Sequence, residues 1–322
     1  MDKASLSTEE LPLVYVRHIM DARPYMFEKW LDKRLAVIHY EGDILSKDKM
    51  TVDPKDFKGS GRKVMLRLSY YCQSGALVVA DYNDYGFKVM LLGVLRPNSK
   101  IEPRVEQIEV SQHYPEGLAY YHVVKLNRCV RLDHSDPLAR PLLVLQPRQN
   151  NVVNWRIGNI AEYVRYLHES LLSGSVSMSN LPIEKYPLTD YQWEVLCSEY
   201  LRIIPPSEGK IDYLLTPVGR TMKDIDIEGA NREAHILAQV SLTTKPDEID
   251  SKILSLRSYL DESKFTAKKT ALVYFGPEDL KQYVESKYED IKFISVKQVF
   301  EELKKTGIID DMLPSRRYFS CG

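Results

Sequence analysis

Between Lys223 and Ser241 the chain reads KDIDIEGANREAHILAQVS, two short strands joined by a turn. An acid, Asp226, sits in the first strand, and an amide, Gln239, lies near the end of the second. Asp224 and Glu228 alternate in phase with Asp226, so on a strand all three face one side, with Glu228 expected to meet water. Carboxylates and amides are oxygen donors, the groups that hard divalent cations take. A further acid, Glu194, lies upstream in QWEVL, and Lys245 and Lys252 follow soon after Ser241. Other catalytic devices are missing from the sequence. The GSG at 59–61 is read as lacking both the lysine and the following helix of a phosphate-binding loop, and no nucleophile elbow is present. The four cysteines, Cys72, Cys129, Cys197 and Cys321, are scattered without a CxxC pair, so a structural zinc is not expected.

The elements that must position these residues fall into two groups. At 322 residues the chain is long for one core, so two domains are expected. From PLVYVRHI to RPLLVLQP the pattern is mainly short β-branched and aromatic runs, among them RLAVIHY, KVMLRLSYY, GALVVADY, FKVMLLGVL and AYYHVVKL, with one short helix in PYMFEKWLDK. This predicts a compact, twisted, largely antiparallel sheet or barrel. NWRIGNIAEYVRYLHESLL then has apolar residues at helical spacing and leads into the Ser-rich SGSVSMSN. Downstream, LTDYQWEVLCSEYLRII opens with a capping box, Thr189 with Gln192. Strands in IDYLLTPVG, DIDIEG and HILAQVSL follow, then helices and strands alternate to the end, which predicts an α/β sandwich around a mixed sheet.

Charge narrows the partners only slightly. The formal net charge is -1, and residues 1–150 hold 22 Lys and Arg against 19 Asp and Glu. That half also holds five of the seven histidines. No apolar run approaches the roughly 20 residues of a membrane span. The polar start MDKASLSTEELP does not read as a signal peptide, and with reduced cysteines the expected location is cytoplasmic.

Over about residues 186–305 the order of elements resembles the PD-(D/E)xK nuclease superfamily, specifically the Mrr-like restriction endonuclease catalytic domain. The resemblance rests on Glu194 in QWEVL, on Gly219 and Asp226 in VGRTMKDIDI, on QVS (Gln239 and Ser241) where that family has QxK, and on TALVYF and IKFISVKQVFEEL. It implies metal-assisted phosphodiester hydrolysis with Mg2+ or Mn2+. Asp226 and the Gln239 side-chain carbonyl would ligate the cation, with Glu194 bound directly or through water. It also implies a lysine at position 241, where this chain has serine. Losing one such electrostatic partner costs about a hundredfold to a thousandfold in rate. Members of this superfamily move the lysine to a neighbouring element, and Lys252 or Lys245 would then stand in for it.

The N-terminal stretch FEKWLDKRLAVIHYEGD, followed by DPKDF, GALVVADY and LLGVLRP, resembles the PUA-like superfamily with its EVE and YTH-type modules. These are small barrels that bind modified bases or RNA. The resemblance implies a flipped base held among aromatic walls, with Trp30, His39, Tyr40, Tyr70, Tyr71, Tyr82, Tyr85 and Trp155 as candidate base-binding residues. Tyr70 and Tyr71 would point to opposite faces if LSYYCQ is a strand. Arg17, Arg23, Lys63, Arg67 and Arg96 would contact phosphate.

Together these readings give residues 1–155 as a PUA-like recognition barrel, 156–185 as connecting helix and linker, and 186–322 as the nuclease-fold domain. The function implied is a modification-dependent DNA endonuclease of restriction or anti-phage defence, working as a homodimer or in a defence complex. The rivals are a catalytically inactive DNA-binding or scaffold subunit with the same folds, and an enzyme of another class with a small-molecule site in the C-terminal sheet.

Overall fold

The computed structural model describes residues 11–18, 24–83, 87–112, 114–147, 151–157, 159–175, 186–204, 211–215, 225–232, 234–262 and 269–307. The chain divides into two compact units at residues 180 and 181. Among the described residues no helix is long and apolar enough to cross a membrane.

The first unit runs β1 (Leu13–Arg17), α1 (Pro24–Asp32), β2 (Leu35–Ile38), α2 (Gly59–Ser74), β3 (Ala76–Tyr82), β4 (Val89–Leu95), β5 (Glu102–Gln107), β6 (Leu118–Lys125), β7 (Asn127–Asp133), α3 (Arg140–Val144), β8 (Val152–Asn154) and α4 (Ile160–Ser173). One sheet has the order β7-β4-β3-β1-β8 and a second the order β2-β6-β5. ALVVADY and VMLLGVL are buried along their whole length because β3 and β4 are interior strands covered on both faces. The β4–β7 register slips between Leu92 and Val94. A Cβ on Gly93 there would lie 2.7 Å from Cys129 Sγ, so only glycine fits the irregularity.

Three expectations change here. The barrel is not formed: β1 and β3 are parallel, the remaining pairs antiparallel, and neither sheet closes on itself among the described residues. KVMLRLSYY is helix rather than strand, part of α2. Its buried residues Val64, Met65, Leu68, Tyr71 and Cys72 recur at helical spacing, a signal that outweighs its β-branched and aromatic content. The GSG, read as having no helix after it, opens this one. Asp43 Oδ2 accepts from the Gly61 N–H at 2.6 Å and from Ser60 Oγ at 3.0 Å, satisfying donors that a helix start leaves free.

The second unit runs α5 (Asp190–Ile203), β9 (Tyr213–Leu215), β10 (Ile227–Ala230), β11 (Ala234–Val240), α6 (Pro246–Glu262), β12 (Lys269–Gly276), α7 (Lys281–Lys287), β13 (Ile291–Ser295) and α8 (Val296–Lys305). Its sheet has the order β13-β12-β11-β10-β9, parallel from β11 to β13 and antiparallel at β10 and β9. Ile249, Ile253 and Leu256 of α6 pack on Leu237, Leu272 and Tyr274. Tyr200 of α5 meets Phe275, whose ring faces away from Tyr274 by the strand alternation. Helices therefore cover both faces of a mixed sheet. The capping box at α5 is formed, with Thr189 Oγ1 accepting from Gln192 N–H at 3.2 Å and Gln192 Oε1 from Thr189 N–H at 2.8 Å.

Candidate active site

The strand β11 has an antiparallel neighbour on one side and a parallel one on the other. At its carboxyl end the chain leaves the sheet, and in α/β sheets such points hold ligand crevices. A cleft of about 440 Å³ opens there. Asp190, Trp193 and Glu194 reach it from the start of α5, Asp226 from the residue before β10, and Glu248 and Lys252 from the first turns of α6.

Asp226 is held from two sides. Its own N–H donates to Ala238 O at 2.9 Å, the carbonyl of the residue opposite Ile227, and its side chain lies beside Gln239. Oδ2 then accepts from Gln239 Nε2 at 2.5 Å and from the Val240 N–H at 2.8 Å. Oδ1 makes no hydrogen bond with a described residue. Burial raises the Asp226 carboxyl above its ordinary range, with Asp190 adding to the rise and the Val240 N–H and Lys252 opposing it.

Glu194 is one helical turn after Asp190, so the two acids share a face of α5. Burial, then Asp226, then Asp190 push its carboxyl up to about 7, against the pull of Lys252. The cleft is thus short of positive charge. Its carboxylates, with the Gln239 amide beside Asp226, are the oxygen donors a hard divalent cation takes, and such an ion would offset the burial and the Asp226 and Asp190 charges that raise Glu194. The residues fit Mg2+ or Mn2+ in that sense, although among the described residues no group of three or more His, Cys, Asp or Glu side chains is set to hold a metal.

Ser241 is buried, and Thr243 N–H lies 3.4 Å from its hydroxyl. Lys252 lines the same cleft, half-buried, and makes no ion pair with a described carboxylate. Lys245 does not face the cleft. Its ammonium meets Glu248 at 2.7 Å on the surface, where its side chain is 75% exposed. Of the two lysines, only Lys252 is placed to act on Asp226 and Glu194. Glu228, expected to meet water, instead pairs with the buried His235 at 2.9 Å. Asp224 and Gly219 lie outside the described residues.

Four residues in or beside this site were not singled out from the sequence. Asp190 and Glu248 stand four residues before Glu194 and Lys252, so helical spacing would have paired each with its neighbour. Thr243 hydrogen-bonds Glu248 Oε2 at 2.6 Å and so anchors the turn between β11 and α6. Tyr274 stands beside Gln239 in the β11–β12 register. Its hydroxyl is buried without a partner of hydrogen-bonding geometry among the described residues, and burial raises it to about 12.

The aromatic candidates of the first unit do not line one pocket. Trp30, Tyr82 and Trp155 are core residues, 1%, 0% and 1% exposed. Tyr82 stacks on His18 with centroids 3.9 Å apart and donates to Leu35 O, and Trp155 Nε1 donates to Leu145 O at 2.9 Å. Tyr70 lies on the solvent side of α2 at 62% exposure, whereas Tyr71 beside it is buried. His39 and Tyr40 are half-buried after β2, and burial lowers the His39 imidazole below its ordinary range. Tyr85, Arg23 and Cys321 lie outside the described residues. Of the phosphate candidates, Arg67 donates to Val152 O at 3.1 Å, Arg17 is half-buried in β1, and Lys63 and Arg96 are exposed.

No family model matches the chain, and no curated protein matches it. A solved structure similar to it is that titled MspJI Restriction Endonuclease in Complex with 27-mer Oligonucleotide, at 10% identity and a TM-score of 0.28, covering 95% of this chain and 79% of that one. A likeness of that size assigns no fold.

Proposed function

We propose that the chain is a modification-dependent DNA endonuclease whose cutting site is the cleft at the end of β11. The observation that carries this reading is the convergence of Asp226, Glu194 and Lys252 on one cleft, from just before β10, from α5 and from α6, with Gln239 of β11 bonded to Asp226. A bound Mg2+ or Mn2+ would be held by Asp226 and Glu194, with the Gln239 carbonyl as a further oxygen donor, and would polarise the phosphate and acidify the attacking water. The protein's own part is orientation and charge. The Val240 N–H and the Gln239 amide fix one oxygen of Asp226 and leave the other to a ligand. Glu194, poised near neutrality, can hold or release a proton at the edge of the cleft. Lys252 supplies the positive charge that Ser241 cannot, from α6 instead of the strand.

Recognition of the base falls to the first unit under this reading, and two strands require two cutting sites, hence a homodimer or a partner subunit. The test is incubation of the purified protein with methylated, hydroxymethylated and unmodified DNA in Mg2+ or Mn2+, beside Asp226→Ala. Cleavage that disappears in the variant is the expected result. Binding without cleavage on every substrate would overturn it in favour of the second reading, a catalytically inactive DNA-binding subunit. That reading draws on Ser241 and on the lack of a three-carboxylate group among the described residues.

A further inference from the structure

A second cleft, of about 630 Å³, lies in the first unit between the end of α1 and one face of the three-stranded sheet. Register places Arg104 beside Tyr121, Glu102 beside Val123, and Leu35 beside Lys125. Strand alternation puts all of them, with Glu106, on that face. Trp30 and Tyr121, buried with centroids 5.2 Å apart, form the floor. The Trp30 indole N–H has no acceptor of hydrogen-bonding geometry among the described residues.

Two of the cations are already matched. Lys29 pairs with Glu106 at 2.6 Å, and Arg104 pairs with Glu102. Lys33, Arg34 and Lys125 also line the cleft and form no ion pair with a described residue, leaving five cations there against the three acids Asp32, Glu102 and Glu106. Arg34 also has an unusual backbone, shared among the described residues with Asn98 and Arg128. Its φ is 56, in the left-handed region where glycine sits without strain. Its backbone closes the turn from α1 into β2, with its N–H on Leu31 O at 3.0 Å and its carbonyl accepting from Leu126 N–H at 2.9 Å. Those bonds use only the backbone, and non-glycine residues held in this conformation are also found at ligand clamps.

We propose that this cleft binds the phosphate of a nucleotide unit, with Arg34 as a two-point contact and Lys33 and Lys125 as flanking charges. The planar guanidinium fork matches two phosphate oxygens. The volume is that of a small-ligand pocket. The buried floor offers no exposed ring for a base to stack on, so the recognised group is the anion. The proposal takes only the nucleic-acid partner from the proposed function and does not depend on cleavage. Its source is either a DNA strand or a free nucleotide, and the experiment separates them.

The full chain, in chelator to silence any metal site, is titrated into a fluorescein-labelled DNA duplex by anisotropy and with deoxyadenosine monophosphate by calorimetry. Arg34→Gly and Lys125→Glu are compared with wild type over a salt series. Glycine suits the backbone at position 34, so Arg34→Gly is expected to melt no lower than wild type while binding weakens about tenfold or more. Each variant should reduce the salt slope for the duplex by about one. Arg34-dependent binding of the monophosphate but not the duplex supports the cleft with a free nucleotide as its ligand. Wild-type affinity in both variants, or no binding of either probe by wild type, overturns the proposal. Binding that needs Arg34, in a protein that never cuts DNA with Mn2+, upholds the cleft and sinks only the nuclease reading.

Discussion

The Gln239 side-chain amide donates to Oδ2 of Asp226 across the β10–β11 hairpin, and the Val240 backbone N–H reaches the same oxygen at 2.8 Å. Asp226 stands one residue outside β10, so its carboxylate is at the rim of the sheet while its orientation is set by the strand beside it. Burial holds the group above its ordinary range even with those two donors in place. The geometry presents the remaining oxygen, and burial outweighs the Val240 N–H and Lys252 in setting the Asp226 pKa.

If the Gln239 amide orients Asp226 for a cation, Gln239→Leu should lower Mn2+ affinity by tenfold to a hundredfold, the usual effect of losing a group that positions a ligand. Melting temperature against Mn2+ concentration reads this without any turnover. An unchanged midpoint of that titration would show that the Val240 N–H alone suffices.

Glu194 predicts a pH dependence. Its folded-state pKa, about 7, is above the ordinary value of 4.5, so between those limits the folded chain binds more protons than the unfolded one. Stability therefore falls as pH rises from about 4.5 to about 7 and does not recover above that. Glu194→Gln should match wild type in urea midpoint near pH 4.5 and exceed it at pH 8. Asp226, raised in the same direction, should leave a smaller slope behind in the variant. Equal midpoints at pH 8 would mean that Glu194 is not under charge strain.

Lys252 and Ser241 make a paired prediction. If the cation has moved from the strand to α6, Lys252→Met should slow cleavage by about a hundredfold to a thousandfold. Ser241→Lys in that background should recover part of the rate, since position 241 borders the same cleft. Ser241→Lys in the wild-type background should gain little, the charge being already supplied. A Lys252→Met enzyme that cuts at the wild-type rate would remove Lys252 from the site.

The second unit was legible where short-range rules govern it. Thr189 with Gln192 forms its capping box, and the residues that mark α5 and α8 have the helical period. Asp226 and Gln239 could be paired from sequence because a hairpin makes cross-strand neighbours of residues at fixed offsets. Asp190, Glu248 and Tyr274 could not, since their nearness to Asp226 depends on how α5, α6 and β12 meet around β11. In the first unit α2 was misread: Tyr70 and Tyr71 resemble strand residues singly, and only the run from Val64 to Cys72 shows the helical period. Trp30, Tyr82 and Trp155 were singled out as large aromatics, but the same size that suits them to a base pocket suits them to a core.

The buried acid of the first unit supports a last prediction, on stability. Asp81 of β3 is 1% exposed and accepts from Tyr15 Oη of β1 at 2.6 Å, while His134 Nε2 lies 2.9 Å from its other oxygen. Burial, and then the Asp81 charge, hold the Tyr15 phenol well above its ordinary range, so the proton stays on Tyr15 and the bond keeps its direction. β1 and β3 are neighbours in the five-stranded sheet, which makes this contact a side-chain tie alongside their backbone ladder. Tyr15→Phe fills nearly the same volume but leaves Asp81 Oδ2 buried without its donor. The expected loss is about 1–3 kcal/mol, the penalty for an unsatisfied buried acceptor, read as a lower urea midpoint with an unchanged m-value. Asp81→Asn added to that variant should restore part of the loss, because a neutral amide is less costly to bury than an unpaired carboxylate. A Tyr15→Phe protein as stable as wild type would mean that His134 alone satisfies the acid.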